Sequence, residues 1–161
     1  VRIAHGASLG YTFSTLLKEK GFRVLVDLGR APIPYQGLSL ATRRSYLRQN
    51  TQIVDSVLRG VLESVAFIQN PSYKEVATRS LLKNLRLKSA QEGENGYQAL
   101  QWLYSLDIRP NLKGIQNMHR LLVMTNSKVR GVKSEDVIDE APVQRMEKTS
   151  FYRDLVAHAK R

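Results

Sequence analysis

Between Ile53 and Ala66 the apolar residues Ile53, Val54, Val57, Leu58, Val61, Leu62, Val65 and Ala66 recur at steps of three and four. That spacing lays them along one stripe of a helix of about five turns, whose apolar side has to be covered. Asn50 or Thr51 can cap its start. Asn70-Pro71 ends it, because the residue before a proline is pushed out of the helical region.

The same period continues downstream. Ser72 with Glu75 has the spacing of a capping box, opening a helix with Val76, Leu81, Leu82 and Leu85 inward, and Ser89 with Glu92 repeats it. The next helix carries Gly93 and Gly96, which weaken it, before Tyr97, Leu100, Trp102 and Leu103 supply its apolar side. After Pro110, residues 112–125 read as an amphipathic helix through Ile115, Met118, Leu122 and Met124. Residues 134–139 read as a turn or short helix, and 142–149 and 151–160 as two short helices.

Upstream of the stripe the pattern differs. VRIA at the start reads as a strand, HGASLGYT as a loop, and FSTLLKEK (13–20) as a short helix stopped at Gly21. RVLVDL (23–28) is nearly continuous in apolar character, the composition of a strand covered on both faces. Gly29 with Pro32 and Pro34 interrupts it, and LSLAT (38–42) reads as a second strand leading into a basic helix start. The expected architecture is a small α/β head followed by a helical body.

Composition excludes more than it selects. The 161 residues, 42% hydrophobic, suffice for a domain with a real core. There is no cysteine, which removes disulfides, thiolate metal sites and thiol nucleophiles. No run of apolar residues is long enough to span a bilayer. The chain opens on Val1 with no visible export signal, which is read as the start of a fragment or processed product. The formal charge of +11 is spread over polar helix faces rather than gathered with aromatics, so a solvated basic surface is expected, not a nucleic-acid interface. His5, His119 and His158 lack metal-ligand spacing, and Glu135, Asp136, Asp139 and Glu140 read as a solvated helix start. Phosphate-loop, dinucleotide and nucleophile-elbow motifs are absent. The expectation is a protein that is not an enzyme and takes no cofactor. One turn stands out: Pro34-Tyr35-Gln36-Gly37 offers an aromatic face, an amide and close backbone approach, all suited to ligand contact.

GFRVLVDLGRAPIPYQGLSLATRRSYLRQN (21–50) resembles the periplasmic solute-binding proteins of ABC importers, in the nitrate, sulfonate, taurine and thiamine-precursor class. The carrying features are Gly-Phe after a helix, the VLVDL run, the IPYQG turn and the T-R-x-Y segment before a helix opening at Asn. RPNLKGIQNMHRLL (109–122) resembles that family's P-x-x-x-GIQ helix, and SEDVIDEAPVQRMEKTSFYRDL (134–155) its terminal segment. Departures are Ser134 for the usual proline, Glu140-Ala141-Pro142, and Thr149-Ser150 without the glycine.

The resemblance implies the C-terminal part of a type II periplasmic-binding-protein-like two-lobed α/β fold, predominantly helical with a few short strands. Residues 1–36 would be the remnant of the second α/β lobe, and residues 37–161 a crossover strand and the C-terminal helical part. The implied function is capture of a small, anionic-class solute by hinge closure, with Ser8, Gly10, Tyr11, Thr12, Tyr35 and Gln36 as the ligand-binding residues. The implied partners are the small-molecule ligand, an ABC transporter membrane permease and a missing N-terminal lobe, and the implied location is periplasmic or extracellular and lipid-anchored. Rival readings are the sensing domain of a transcription regulator, which needs a DNA-binding helix-turn-helix elsewhere, and a thiamine-precursor enzyme, which needs cysteine and clustered histidines. A free-standing basic module binding nucleic acid ranks below solute binding. Exposed strand edges in such a piece would further favour a homodimer or swapped oligomer.

Overall fold

A computed structural model of the chain describes residues 5–10, 13–14, 17–18, 20–28 and 30–159. Seven α-helices follow one another among the described residues from residue 44 onward: α1 (Arg44–Gln49), α2 (Thr51–Gln69), α3 (Lys74–Asn84), α4 (Ala90–Leu103), α5 (Leu112–Thr125), α6 (Ala141–Glu147) and α7 (Ser150–Ala159). Short 3₁₀ turns at Pro71–Tyr73, Ser127–Val129 and Ser134–Val137 lie between them. Two compact units are present: Val1–Ala31 with Phe67–Ser105, and Pro32–Ala66 with Leu106–Arg161.

The expected α/β fold is not what forms. No strand exists among the described residues, so the chain is helical rather than a two-lobed α/β clamshell. The expected strand at 1–4 lies outside the described residues. At 23–28 the apolar run finds no neighbouring strand, and it turns off at Asp27, whose carbonyl accepts from Arg30 N at 3.2 Å and Ala31 N at 3.0 Å. Strand preference expresses fit to a half-buried pleated surface, and a lone pair of strands is marginal in water, so composition alone does not make a sheet. At 38–42 the chain is an irregular, exposed link into α1, and the Leu38 carbonyl is used by the Gln36 side-chain amide at 2.7 Å. The crossover strand goes with this correction.

The helical expectations fare differently. α2 and α5 run from Thr51 to Gln69 and from Leu112 to Thr125, as the periodicity requires. Asn50 does not cap α2 from its side chain. Its amide instead donates back to Tyr46 O at 3.1 Å, closing α1. Asn70, not Ser72, caps the next turn by accepting from Ser72 N at 2.9 Å, so the expected capping box at Ser72 is replaced by a 3₁₀ entry into α3. Ser89 does cap α4, accepting from Glu92 N at 3.2 Å, while Glu92 reaches back to Lys88 N at 2.6 Å. Gly21 takes φ +86°, the left-handed stop expected there, and Phe22 N closes onto Leu17 O at 3.0 Å.

In the second unit the stripe of α2 makes the core. Leu62 is completely buried, Leu58 and Met146 are nearly so, and Val54, Leu106, Ile108, Phe151, Tyr152 and Leu155 pack around them. In the first unit α3 and α4 pack through Ala77, Tyr97, Ala99 and Gly93. A β-carbon on residue 93 would stand 2.9 Å from Leu82 Cγ and Thr78 Cγ2, so this glycine permits close helix approach instead of merely weakening α4. Tyr97 anchors the end of α2 by donating to Ile68 O at 3.0 Å, and the Gln69 amide donates to the carbonyls of Gln101 and Tyr104 at 2.9 and 2.6 Å.

Candidate functional site

Parts of the three segments that carry the resemblance meet within the second unit, to which residues 32–50, 109–122 and 134–155 belong. The turn at residues 34–37 docks on the N-terminal half of α5. Asn111 caps that helix, its side chain accepting from Gly114 N at 2.8 Å. The Asn111 backbone N–H, unused by the helix, donates to Gln36 Oε1 at 2.7 Å. One turn further along, Asn117 Nδ2 donates to Pro34 O at 2.9 Å. Both polar tips of Gln36 are thus engaged, since its Nε2 serves Leu38 O.

Between these bonds the two backbones nearly touch. A β-carbon on residue 114 would lie 2.7 Å from the Tyr35 carbonyl carbon and 2.8 Å from Gln36 N. Only glycine fits at that point, and Gly114 is buried. The glycine of GIQ and the tyrosine and glutamine of PYQG therefore form one junction across more than seventy residues of sequence.

The third segment joins from the far side of α5. Gln116 Nε2 donates to Glu135 Oε1 at 2.9 Å, and Arg44 Nη2 donates to Asp136 O at 2.6 Å. The Glu135 carboxyl is held below the usual carboxylate range, first by its own backbone N–H and then by the Gln116 amide. His119 lies alongside, its Nε2 2.8 Å from Val129 O. Further along, the Arg109 guanidinium grips Glu147 through two bonds of 2.8 Å, and Arg145 Nη2 pairs with Asp55 at 2.8 Å. The Arg109 fork holds the Glu147 carboxyl below its ordinary value.

The expected ligand residues are distributed as follows. Ser8 and Gly10 are exposed loop residues of the first unit. Tyr11 and Thr12 lie outside the described residues. Tyr35 belongs to the second unit; its backbone is pressed on Gly114 while the residue as a whole stays 61% exposed. Gln36 is part of the junction itself.

Sequence reasoning did not find Asn111, Asn117 or Arg44 as structural partners. The signal for Asn111 was present, since Asn three residues before Gly114 just ahead of an apolar period is a cap pattern. Among the described residues no group of three or more His, Asp or Glu could hold a metal ion, and no helix is long and apolar enough to cross a membrane. Comparison of the chain with protein-family models, with curated proteins and with solved structures finds no match in any of the three.

Proposed function

We propose that this chain serves solute capture for an importer, binding a small anionic molecule noncovalently and presenting it to a membrane permease. The observation that carries the reading is the junction of Tyr35 and Gln36 with Asn111, Gly114 and Asn117. Of the residues that make the sequence resemble solute-binding proteins, those of the IPYQG turn and of the GIQ helix have an interlocking physical role here. A likeness confined to composition would leave them scattered.

In this reading Tyr35 presents its exposed ring and hydroxyl to the solute, held in place by a backbone that cannot shift without opening the junction. Gln36 acts by fixing the turn. The net charge of +11 favours an anion over a cation. The reading requires no α/β cleft.

A thermal-shift screen with nitrate, taurine, an aminopyrimidine and an aromatic carboxylate tests it. A solute bound at about a hundred times its dissociation constant stabilises the folded chain by about 2.7 kcal/mol. The expected result is a saturable rise in Tm with at least one anion, lost in Tyr35→Ala. No shift with any of the four, on protein shown by circular dichroism to be folded, overturns it.

A further inference from the structure

Gly114, Asn117, Leu121 and Met124 fall at steps of three and four, a single stripe along α5. The turn at residues 34–37 covers the first half of that stripe, at Gly114 and Asn117. The second half is left open: Leu121 is 63% exposed and Met124 81%, with Leu122 beside them at 48%. Single apolar side chains scattered over a surface need no explanation, but three adjoining ones at the end of one helix mark a face that is covered in use.

Charge specifies what covers it. Residues 112–133 contain Lys113, Arg120, Lys128, Arg130 and Lys133 and no acidic residue, and all five cations are exposed. The chain after α5 folds back along the helix, with His119 Nε2 2.8 Å from Val129 O and Gln116 bonded to Glu135. Basic residues therefore flank the apolar end of α5 both on the helix and on the adjoining loop. The nearest acid in sequence beyond the loop, Glu135, has a carboxylate oxygen engaged by the Gln116 amide, and residues 32–50, which include the docked turn, contain no acid. A second copy would bring like charges together on this face. A nucleic acid would find no Phe, Tyr or Trp within residues 112–133 on which to stack a base. Long aliphatic side chains bordered by Lys and Arg instead match the boundary of an anionic bilayer. There the apolar ends enter the acyl region while the cationic groups stay with the headgroups.

We propose that the C-terminal half of α5 and the loop at residues 126–133 form a docking surface for an anionic lipid membrane. The surface lies on the bilayer: no helix among the described residues is long and apolar enough to cross one. Three inserted side chains with a few cations give reversible attachment that weakens as salt rises. This attachment stands independently of solute capture.

Vesicle sedimentation of the full chain tests it, with circular dichroism showing that each variant is folded. The protein is expected to bind vesicles of phosphatidylcholine holding about 30% phosphatidylglycerol at about 0.15 M salt, and to stay in solution with phosphatidylcholine alone. Each Lys or Arg at such a surface changes affinity about fivefold, so Lys128→Gln with Arg130→Gln is expected to weaken binding roughly twentyfold. The same loss of charge at exposed Lys83 and Lys88 in the first unit, by Lys83→Gln with Lys88→Gln, is expected to weaken it less than about threefold. Leu121→Gln with Met124→Gln keeps the charge and is expected to weaken binding at least about tenfold. No binding to the anionic vesicles, equal binding to phosphatidylcholine alone, equal loss in the Lys83 and Lys88 variant, or full binding by the Leu121 and Met124 variant overturns the proposal. Binding of an oligouridylate that the Leu121 and Met124 variant also weakens assigns the face to nucleic acid and overturns it as well.

Discussion

Gly114 and Tyr35 approach so closely that a β-carbon on residue 114 would stand 2.7 Å from the Tyr35 carbonyl carbon. Helix propensity alone would favour alanine over glycine at this position of α5 by about 1 kcal/mol. The contact reverses the sign, because the obstructing atoms are backbone and cannot rotate away. Gly114→Ala is expected to destabilise the chain by about 2–3 kcal/mol, read as a lower denaturation midpoint in urea. An unchanged or raised midpoint would mean that the turn does not dock there.

Two other glycines separate packing from propensity. At Gly93 a β-carbon meets Leu82 and Thr78 side-chain carbons at 2.9 Å, so Gly93→Ala is expected to cost about 1–3 kcal/mol. At Gly60, within α2, nothing lies within 4 Å, and Gly60→Ala is expected to stabilise by about 1 kcal/mol. Urea denaturation of both variants gives the two signs, and the contrast fails if both shift the same way.

The core of the second unit rests on Leu62, which has no exposed surface. Leu62→Ala removes its contacts with the α2 stripe and its neighbours and leaves a cavity, and the expected loss is about 2–5 kcal/mol. Exposed Ile53 lies on the same helix, and Ile53→Ala is expected to change stability far less. Equal effects at the two positions would contradict the packing described.

The Arg109–Glu147 pair predicts a pH signature. The hydrogen bonds from Arg109 hold the Glu147 carboxyl below its ordinary value, with desolvation opposing them. A carboxyl that titrates lower when folded binds fewer protons than in the unfolded chain. Its contribution is therefore present above the unfolded pKa and is lost as pH falls through the depressed folded value. Glu147→Gln is expected to lower Tm at pH 7, with the gap to the parent protein closing as pH falls below about 4. A gap that is constant from pH 7 to pH 3 would assign the effect to packing instead of charge.

How much of this was legible in the sequence follows from what each signal depends on. The extents of α2 and α5 were legible because a long apolar period and a cap are properties of the segment itself. RVLVDL was misread because strand formation depends on a partner, and its β-branched composition cannot report that none is present among the described residues. Gly93 and Gly114 were visible as glycines, but whether a glycine weakens a helix or admits a neighbour is decided by what packs against it. Tyr35 and Gln36 were picked out for their chemistry, while the docking of Gln36 on the Asn111 amide depends on a contact distant in sequence. The family likeness marked all three segments without indicating that they interlock.

The most direct measurement of that interlock is amide hydrogen exchange at Asn111 and Gly114. These N–H groups donate to Gln36 Oε1 and Asn111 Oδ1, respectively. In the parent protein both are expected to exchange slowly. In Gln36→Ala, Asn111 is expected to lose its protection while the interior amides of α5 keep theirs. Rapid exchange at Asn111 in the parent protein, or protection unaltered by Gln36→Ala, would contradict the junction on which the functional reading stands.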